Sequence, residues 1–277
     1  MNRVDRAFAD ARANGWDALL IPFVCAGDPS LDVTERCLVE FPRAGASIVE
    51  VGIPFSDPIA DGPTISSAMH RALGSGMRVR DVMRVVKRAR AQTDAAFVAM
   101  VSCSIARRFG AEPFAGMLAE AGFDGVIYPD LPLEEAEPFA TPARAAGLTV
   151  SLLISPATPP ARASAIAGAS SGFVYAMARV GITGGEGSGG PADLSTYLNG
   201  LRGGGGVPVA CGFGIATPVD ARAIAAVADG VIVGSAIVKA MAEAHGRGED
   251  AAGAGVDLVR SLASAAHGSC ASSGFAE

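Results

Sequence analysis

Eight short runs of apolar, often β-branched residues recur along the chain, at 18–24, 47–53, 96–101, 125–128, 149–154, 172–176, 207–211 and 230–233. Each run is apolar almost throughout instead of alternating, the pattern of parallel strands covered on both faces. Between them lie longer stretches with helical character, at 30–43, 78–90, 112–121, 132–146, 160–167, 192–201 and 218–227. Many open on Pro or a small polar residue and close at Gly, the usual start and stop signals. Parallel neighbours need a long crossover, and a helix supplies it. Eight such repeats fit a closed (β/α)8 TIM barrel, with an open doubly wound sheet as the alternative. The chain has 277 residues, half of them hydrophobic, and one barrel of this kind uses about 250. The expected organisation is an α/β single-domain barrel over 1–266, with an extra N-terminal helix at 3–14 under its floor and a frayed tail at 267–277.

Composition removes several classes of function. The net charge is −6 and the pI about 5.2, without the basic face a nucleic-acid binder needs. No run approaches the roughly 18 apolar residues of a membrane span. The first twenty residues carry Asp5 and Asp10 and no compact apolar stretch, so they do not read as a secretory signal. Five scattered cysteines without a CxxC pair read as reduced thiols, and the expected location is cytoplasmic. The 35 glycines are roughly twice the usual frequency and lack a collagen period, which points to tight turns or to backbone closing on a ligand.

In a barrel, chemistry sits at the C-terminal ends of the strands and in the loops after them. The titratable residues there are Asp28, Glu50, Asp57, Asp61, Asp130 and Tyr175. The only lysines, Lys87 and Lys239, and the only histidines, His70, His245 and His267, fall in helical stretches or near the C-terminus. That disfavours a Schiff-base lysine and a histidine-bound metal; no metal site is expected. Acid–base work falls to carboxylates, with Tyr175 as a possible helper.

In SIVEVGIPF, alternation sends Val49, Val51 and Ile53 toward the helix layer and Ile48, Glu50 and Gly52 into the barrel. A carboxyl surrounded by apolar neighbours has a raised pKa and can exchange protons near neutrality. The alternative is a structural Glu held by backbone amides. In FSDPIADGPT, Asp57 and Asp61 are turn residues or chemical ones; Asp61 also suits the N-cap of a helix at 63–72. Three glycine-rich turns, VGITGGEG, CGFGI and VGSAI, follow the last three strands. The last runs straight into a helix, whose free amides make an anion site. With no Arg or Lys inside these turns, a phosphate would be held mainly by backbone amides.

These segments together resemble one family. VEVGIPFSDPIADGPTI, the GDP at Asp28, PDLP at 129–132, ARVGITG, GFGI and VGSAIVK come in the order of the tryptophan synthase alpha subunit and run from Phe23 to Lys239. The resemblance implies a (β/α)8 barrel that cleaves indole-3-glycerol phosphate to indole and glyceraldehyde 3-phosphate by a retro-aldol reaction. It implies no cofactor in this chain, pyridoxal phosphate being expected only in the beta subunit that receives indole through a tunnel, in an alpha2-beta2 assembly. It places Glu50 and Asp61 at the two catalytic carboxylates, with Asp61 facing the ring nitrogen. Phe23, Ile127 and Phe213 fall at the indole pocket and Tyr175 at a substrate contact. Gly184, Gly214, Gly234 and Ser235 match the phosphate turns, and Thr183 a loop residue that closes over the second carboxylate. One segment departs: where the family often has a Tyr-x-Asn-Pro type sequence, this chain has Ser102 and Ser104. Two rival readings are a barrel that mainly binds and activates a partner, which the retained carboxylates oppose, and a sister phosphate barrel. The latter would be an isomerase or a synthase of histidine or tryptophan synthesis, and the lack of a strand-end lysine opposes the synthase.

Overall fold

In the computed structural model, which describes residues 1–58, 61–178, 191–202, 206–212 and 214–268, α1 (Arg3–Ala13) leads to β1 (Leu19–Cys25), α2 (Leu31–Arg43) and β2 (Ile48–Gly52). Two helices, α3 (Pro63–Gly74) and α4 (Val79–Arg90), precede β3 (Ala96–Met100). Two more, α5 (Cys103–Phe109) and α6 (Ala111–Ala121), precede β4 (Gly125–Ile127). A 3-10 turn at Leu133–Glu135 and α7 (Glu137–Ala145) lead to β5 (Thr149–Ser151) and β6 (Leu153–Ile154). The chain continues through α8 (Pro160–Ala169), β7 (Val174–Met177), α9 (Pro191–Arg202), β8 (Val209–Gly212) and α10 (Pro218–Ala225). It then forms β9 (Gly230–Val233), α11 (Ser235–Gly246) and α12 (Ala251–Ala266).

The strands run parallel in the order β5-β4-β3-β2-β1-β9-β8-β7-β6. Only Leu152 separates β5 from β6, and the first pairs with β4 while the second pairs with β7. The single stretch 149–154 therefore closes the ring, and the expected (β/α)8 barrel is the fold. Its fifth stave is broken because serine hydroxyls replace part of the ladder. Val150 N–H donates to Ser171 Oγ at 2.9 Å and Leu152 N–H to Ser170 Oγ at 3.3 Å.

Burial follows the alternation. Val49, Val51 and Ile53 pack under the helices with Leu20, Val24 and Phe97, whereas Ile48 packs inside the barrel with Leu19, Ile21, Val98 and Phe173. Two helices, α5 and α12, are additional to those expected from periodicity. The helix expected over 132–146 is divided, since Pro138 has no N–H to continue the ladder from the preceding 3-10 turn.

The floor of the barrel is plugged by α1, whose Val4, Ala7, Phe8 and Ala11 join the interior core. The Phe8 and Phe173 rings lie 5.9 Å apart. Asn2 caps this helix by accepting from Val4 N–H, and its Nδ2 donates to the carbonyls of Asp124 and Gly147, each at 2.8 Å. Asp124, 6% exposed, binds Arg3 at 3.1 Å, Arg90 at 3.0 Å and Phe97 N–H at 2.9 Å. His267 belongs to this floor and not to the frayed tail expected at 267–277. It caps α12, stacks on Trp16 at 3.7 Å, and its carbonyl accepts from Asp17 N–H. Residues 269–277 of that tail lie outside the described residues.

Candidate active site

At the C-terminal mouth of the barrel lies a cavity of about 290 Å³. Glu50 sits mid-strand on β2, opposite Phe23 of β1 and Val98 of β3. Its side chain is 1% exposed and lines the cavity, and its Oε2 has no hydrogen-bond partner among the described residues. Burial first, and then the charge of Asp61, push the Glu50 carboxyl up to about 8. A structural glutamate held by backbone amides would show the opposite: both oxygens occupied and a lowered pKa.

Asp61 reaches the same cavity from the loop after β2. Burial raises its carboxyl to about 6. It does not cap the next helix. Gly62 is the N-cap of α3, without a side-chain cap bond, and Pro at the first helical position needs none. The helix is held instead by Arg71, whose guanidinium grips the buried Asp28 with two bonds of 2.8 Å. Asp28 is thus a brace between the loop after β1 and α3. Asp57 is exposed, accepts from the Ser56 hydroxyl and lies outside this cavity.

Two glycines make room for the aromatic walls. A Cβ on Gly52 would stand 2.3 Å from the Phe23 ring, and one on Gly212 would stand 2.6 Å from the Tyr175 hydroxyl. Tyr175, on β7, is buried and lines the cavity, and burial and the nearby Glu50 raise its pKa. Gly214 (φ +81°), Gly234 and Ser235 also line the cavity. Gly234 caps α11 and Ser235 opens it, so the free amides of its first turn lie at the cavity wall.

The structure redistributes the apolar lining. Ile127 is fully buried in the interior core and does not line the cavity, whereas Met100, Ile65, Ile215 and Ile232 do. Met100 was legible as the last residue of the inward set Ala96, Val98 and Met100 on β3. Lys239 also lines the cavity, four residues into α11. Its place beyond the turn conceals this in the sequence, although a residue one helical turn on shares the face of Ser235. Thr183, Gly184 and Phe213 lie outside the described residues. No group of three or more metal-ligating side chains gathers among the described residues.

The profile of the tryptophan synthase alpha chain family matches residues 8–267. The chain belongs to that family. Tryptophan synthase alpha chains of Microcystis aeruginosa and Phenylobacterium zucineum resemble it at 41% and 40% identity. The first alignment covers 88% of this chain and 92% of the relative, the second 95% of each. Among solved structures, the tryptophan synthase alpha subunit of Legionella pneumophila superposes with a TM-score of 0.88 at 32% identity, over 96% of this chain and 98% of the other. A chain of Mycobacterium tuberculosis tryptophan synthase gives 0.87 at 33%, over 97% and 100%.

In this alpha chain, the divergent segment forms the start of α5. Ser102 accepts from Ser104 N–H at 3.2 Å and donates to Asp130 Oδ2 at 2.6 Å, while Cys103 N–H donates to Asp130 Oδ1 at 2.8 Å. The Ser102 hydroxyl and the Cys103 amide thereby tie the loop after β3 to the loop after β4. Ser102 and Ser104 line a second cavity of about 190 Å³ that shares Asp61 and Met100 with the first.

Proposed function

We propose that this lyase of tryptophan biosynthesis cleaves indole-3-glycerol phosphate to indole and glyceraldehyde 3-phosphate, with Glu50 as the proton carrier and Asp61 as the charge partner of the ring nitrogen. The observation that carries the reading is Glu50: a buried carboxyl with an unpartnered oxygen, raised to about 8, on a cavity that also holds Asp61 and a helix N-terminus. At neutral pH Glu50 is largely protonated and Asp61 largely ionised.

Protonated Glu50 delivers its proton to the ring carbon that bears the side chain, leaving positive charge on the ring nitrogen. Ionised Asp61 stabilises that charge in a site where water is scarce. The Glu50 carboxylate then takes the proton of the adjacent side-chain hydroxyl. The O–H electrons become the carbonyl, and the carbon–carbon bond electrons return to the ring. Glu50 ends protonated as it began, so no proton is gained or lost.

The phosphate is held by amides of Gly184, Gly214, Gly234 and Ser235, and the ring lies among Phe23, Tyr175 and the apolar wall, with Phe213 and Thr183 completing the site. The chain needs no cofactor for these steps. Its partner is a pyridoxal-phosphate-dependent beta subunit in an alpha2-beta2 assembly, working in the cytoplasm. In keeping with a reducing compartment, Cys25, Cys37, Cys103 and Cys211 are buried free thiols, and no helix among the described residues is long and apolar enough to cross a membrane.

The test is Glu50→Gln. The variant should keep the wild-type circular dichroism and lose roughly 10²–10⁴-fold in cleavage turnover, the usual worth of a general acid–base group. Near wild-type turnover would return Glu50 to a structural role.

A further inference from the structure

We infer that Lys239 is the cationic phosphate anchor of this site, acting with the α11 amides. The inference rests on the proposed phosphate substrate, and it replaces the expectation that amides alone hold the anion. Among the described residues lining the cavity, Lys239 is the only lysine, arginine or histidine. Asp61, ionised at neutral pH, shares that lining, in a chain whose net charge is −6. A phosphate ester close to a dianion at neutral pH enters such a site against repulsion unless a cation offsets it.

The placement follows from helix geometry. Lys239 stands four residues after Ser235, on the same face of α11. Helical side chains lean toward the N-terminus, so a Lys239 rotamer that follows this lean covers the first turn, where Gly234 and Ser235 meet the cavity; in the structure its Nζ faces Glu243, one turn further on. An ammonium on a four-carbon stem reaches an anion there as a point charge, without the fixed fork of an arginine.

Lys239 is also weakly held. Its Nζ lies 3.8 Å from Glu243 Oε1, the limit of an ion pair, and both side chains are more than half exposed. The order is lysine first and glutamate four residues later, the weaker orientation on a helix. Glu243 is therefore a loose competitor that releases the ammonium when phosphate arrives.

The experiment titrates inorganic phosphate and glycerol 3-phosphate into the full chain by calorimetry. It compares wild type, Lys239→Gln, Lys239→Arg, Glu243→Gln and Lys87→Gln, the last a control on the exposed face of α4. Losing one charge-assisted contact at a partly exposed site should weaken both ligands roughly 5–10-fold in Lys239→Gln, with a shallower salt dependence. Lys239→Arg should stay within about twofold, since it keeps the charge, and Glu243→Gln should bind somewhat tighter. In the cleavage assay Lys239→Gln should raise KM with kcat nearly unchanged, the mark of uniform binding. Unchanged phosphate affinity in Lys239→Gln, or equal weakening in Lys87→Gln, would overturn the anchor. If wild type binds phosphate through Lys239 yet does not cleave indole-3-glycerol phosphate, the proposed reaction fails and the anchor stands. If wild type cleaves and Lys239→Gln changes neither Kd nor KM, the anchor alone fails.

Discussion

The two cavity carboxyls titrate on opposite sides of neutrality because their surroundings differ. Glu50 is interior to a strand and feels both burial and a neighbouring charge, and Asp61 lies on a loop and feels burial alone. The proposed reaction needs Glu50 protonated and Asp61 ionised. Activity should therefore rise as pH climbs through about 6, where Asp61 loses its proton, and fall as pH climbs through about 8, where Glu50 loses its own. We expect a bell-shaped kcat/KM profile between these values, read as the pair's apparent constants. The basic limb is diagnostic, because the substrate phosphate also titrates near pH 6 and contributes to the acidic limb. A profile that is flat from pH 7 to 9 would show that cleavage does not use protonated Glu50.

Elements at the two ends of the barrel carry different burdens. At the floor, Asp124 joins α1, α4 and β3 through Arg3, Arg90 and Phe97 N–H. Removing one partner of a buried ion pair leaves the others uncompensated, at a cost of about 3–5 kcal/mol. Asp124→Ala should lower the unfolding free energy from urea titration by that order while leaving kcat per folded molecule unchanged, because none of the described floor residues lines the cavity. A large loss of kcat in folded Asp124→Ala would tie the floor to the chemistry. At the mouth, the short α5 is placed by Asp130, which holds Ser102 and Cys103 and binds two loops into one wall.

For the molecule as a whole, the strand-end face carries both the cavity and the divergent α5 segment. A beta subunit covering that face would exclude water and strengthen every charge interaction inside. Binding of glycerol 3-phosphate should tighten on addition of the cognate beta subunit by about 1–3 kcal/mol, roughly 5–150-fold. Titration with and without the partner measures this, and equal affinity in both would remove the coupling. Much of the architecture was legible beforehand. Eight apolar runs with intervening helices specified the barrel, and alternation along SIVEVGIPF sent Glu50 inward, because strand and helix periods act over a few residues and are written locally. The motifs from Phe23 to Lys239 pointed to the family for the same reason. What remained hidden was whatever depends on how distant staves meet. By spacing alone Asp61 suits a cap as well as a chemical role, and the structure separates the two: Gly62 takes the cap and Asp61 lines the cavity. Ile127 reads as pocket wall until ring closure seals it in the core and brings Ile232 and Met100 to the mouth instead. His267 reads as tail until Trp16, far away in sequence, stacks on it. Lys239 reads as a helix residue beyond the last turn until α11 brings it to the lining of the cavity that Glu50 and Asp61 share. Apart from the cap at Gly62, these outcomes rest on side chains separated by tens to hundreds of residues, whose meeting is decided by barrel closure and packing, and no local period encodes that.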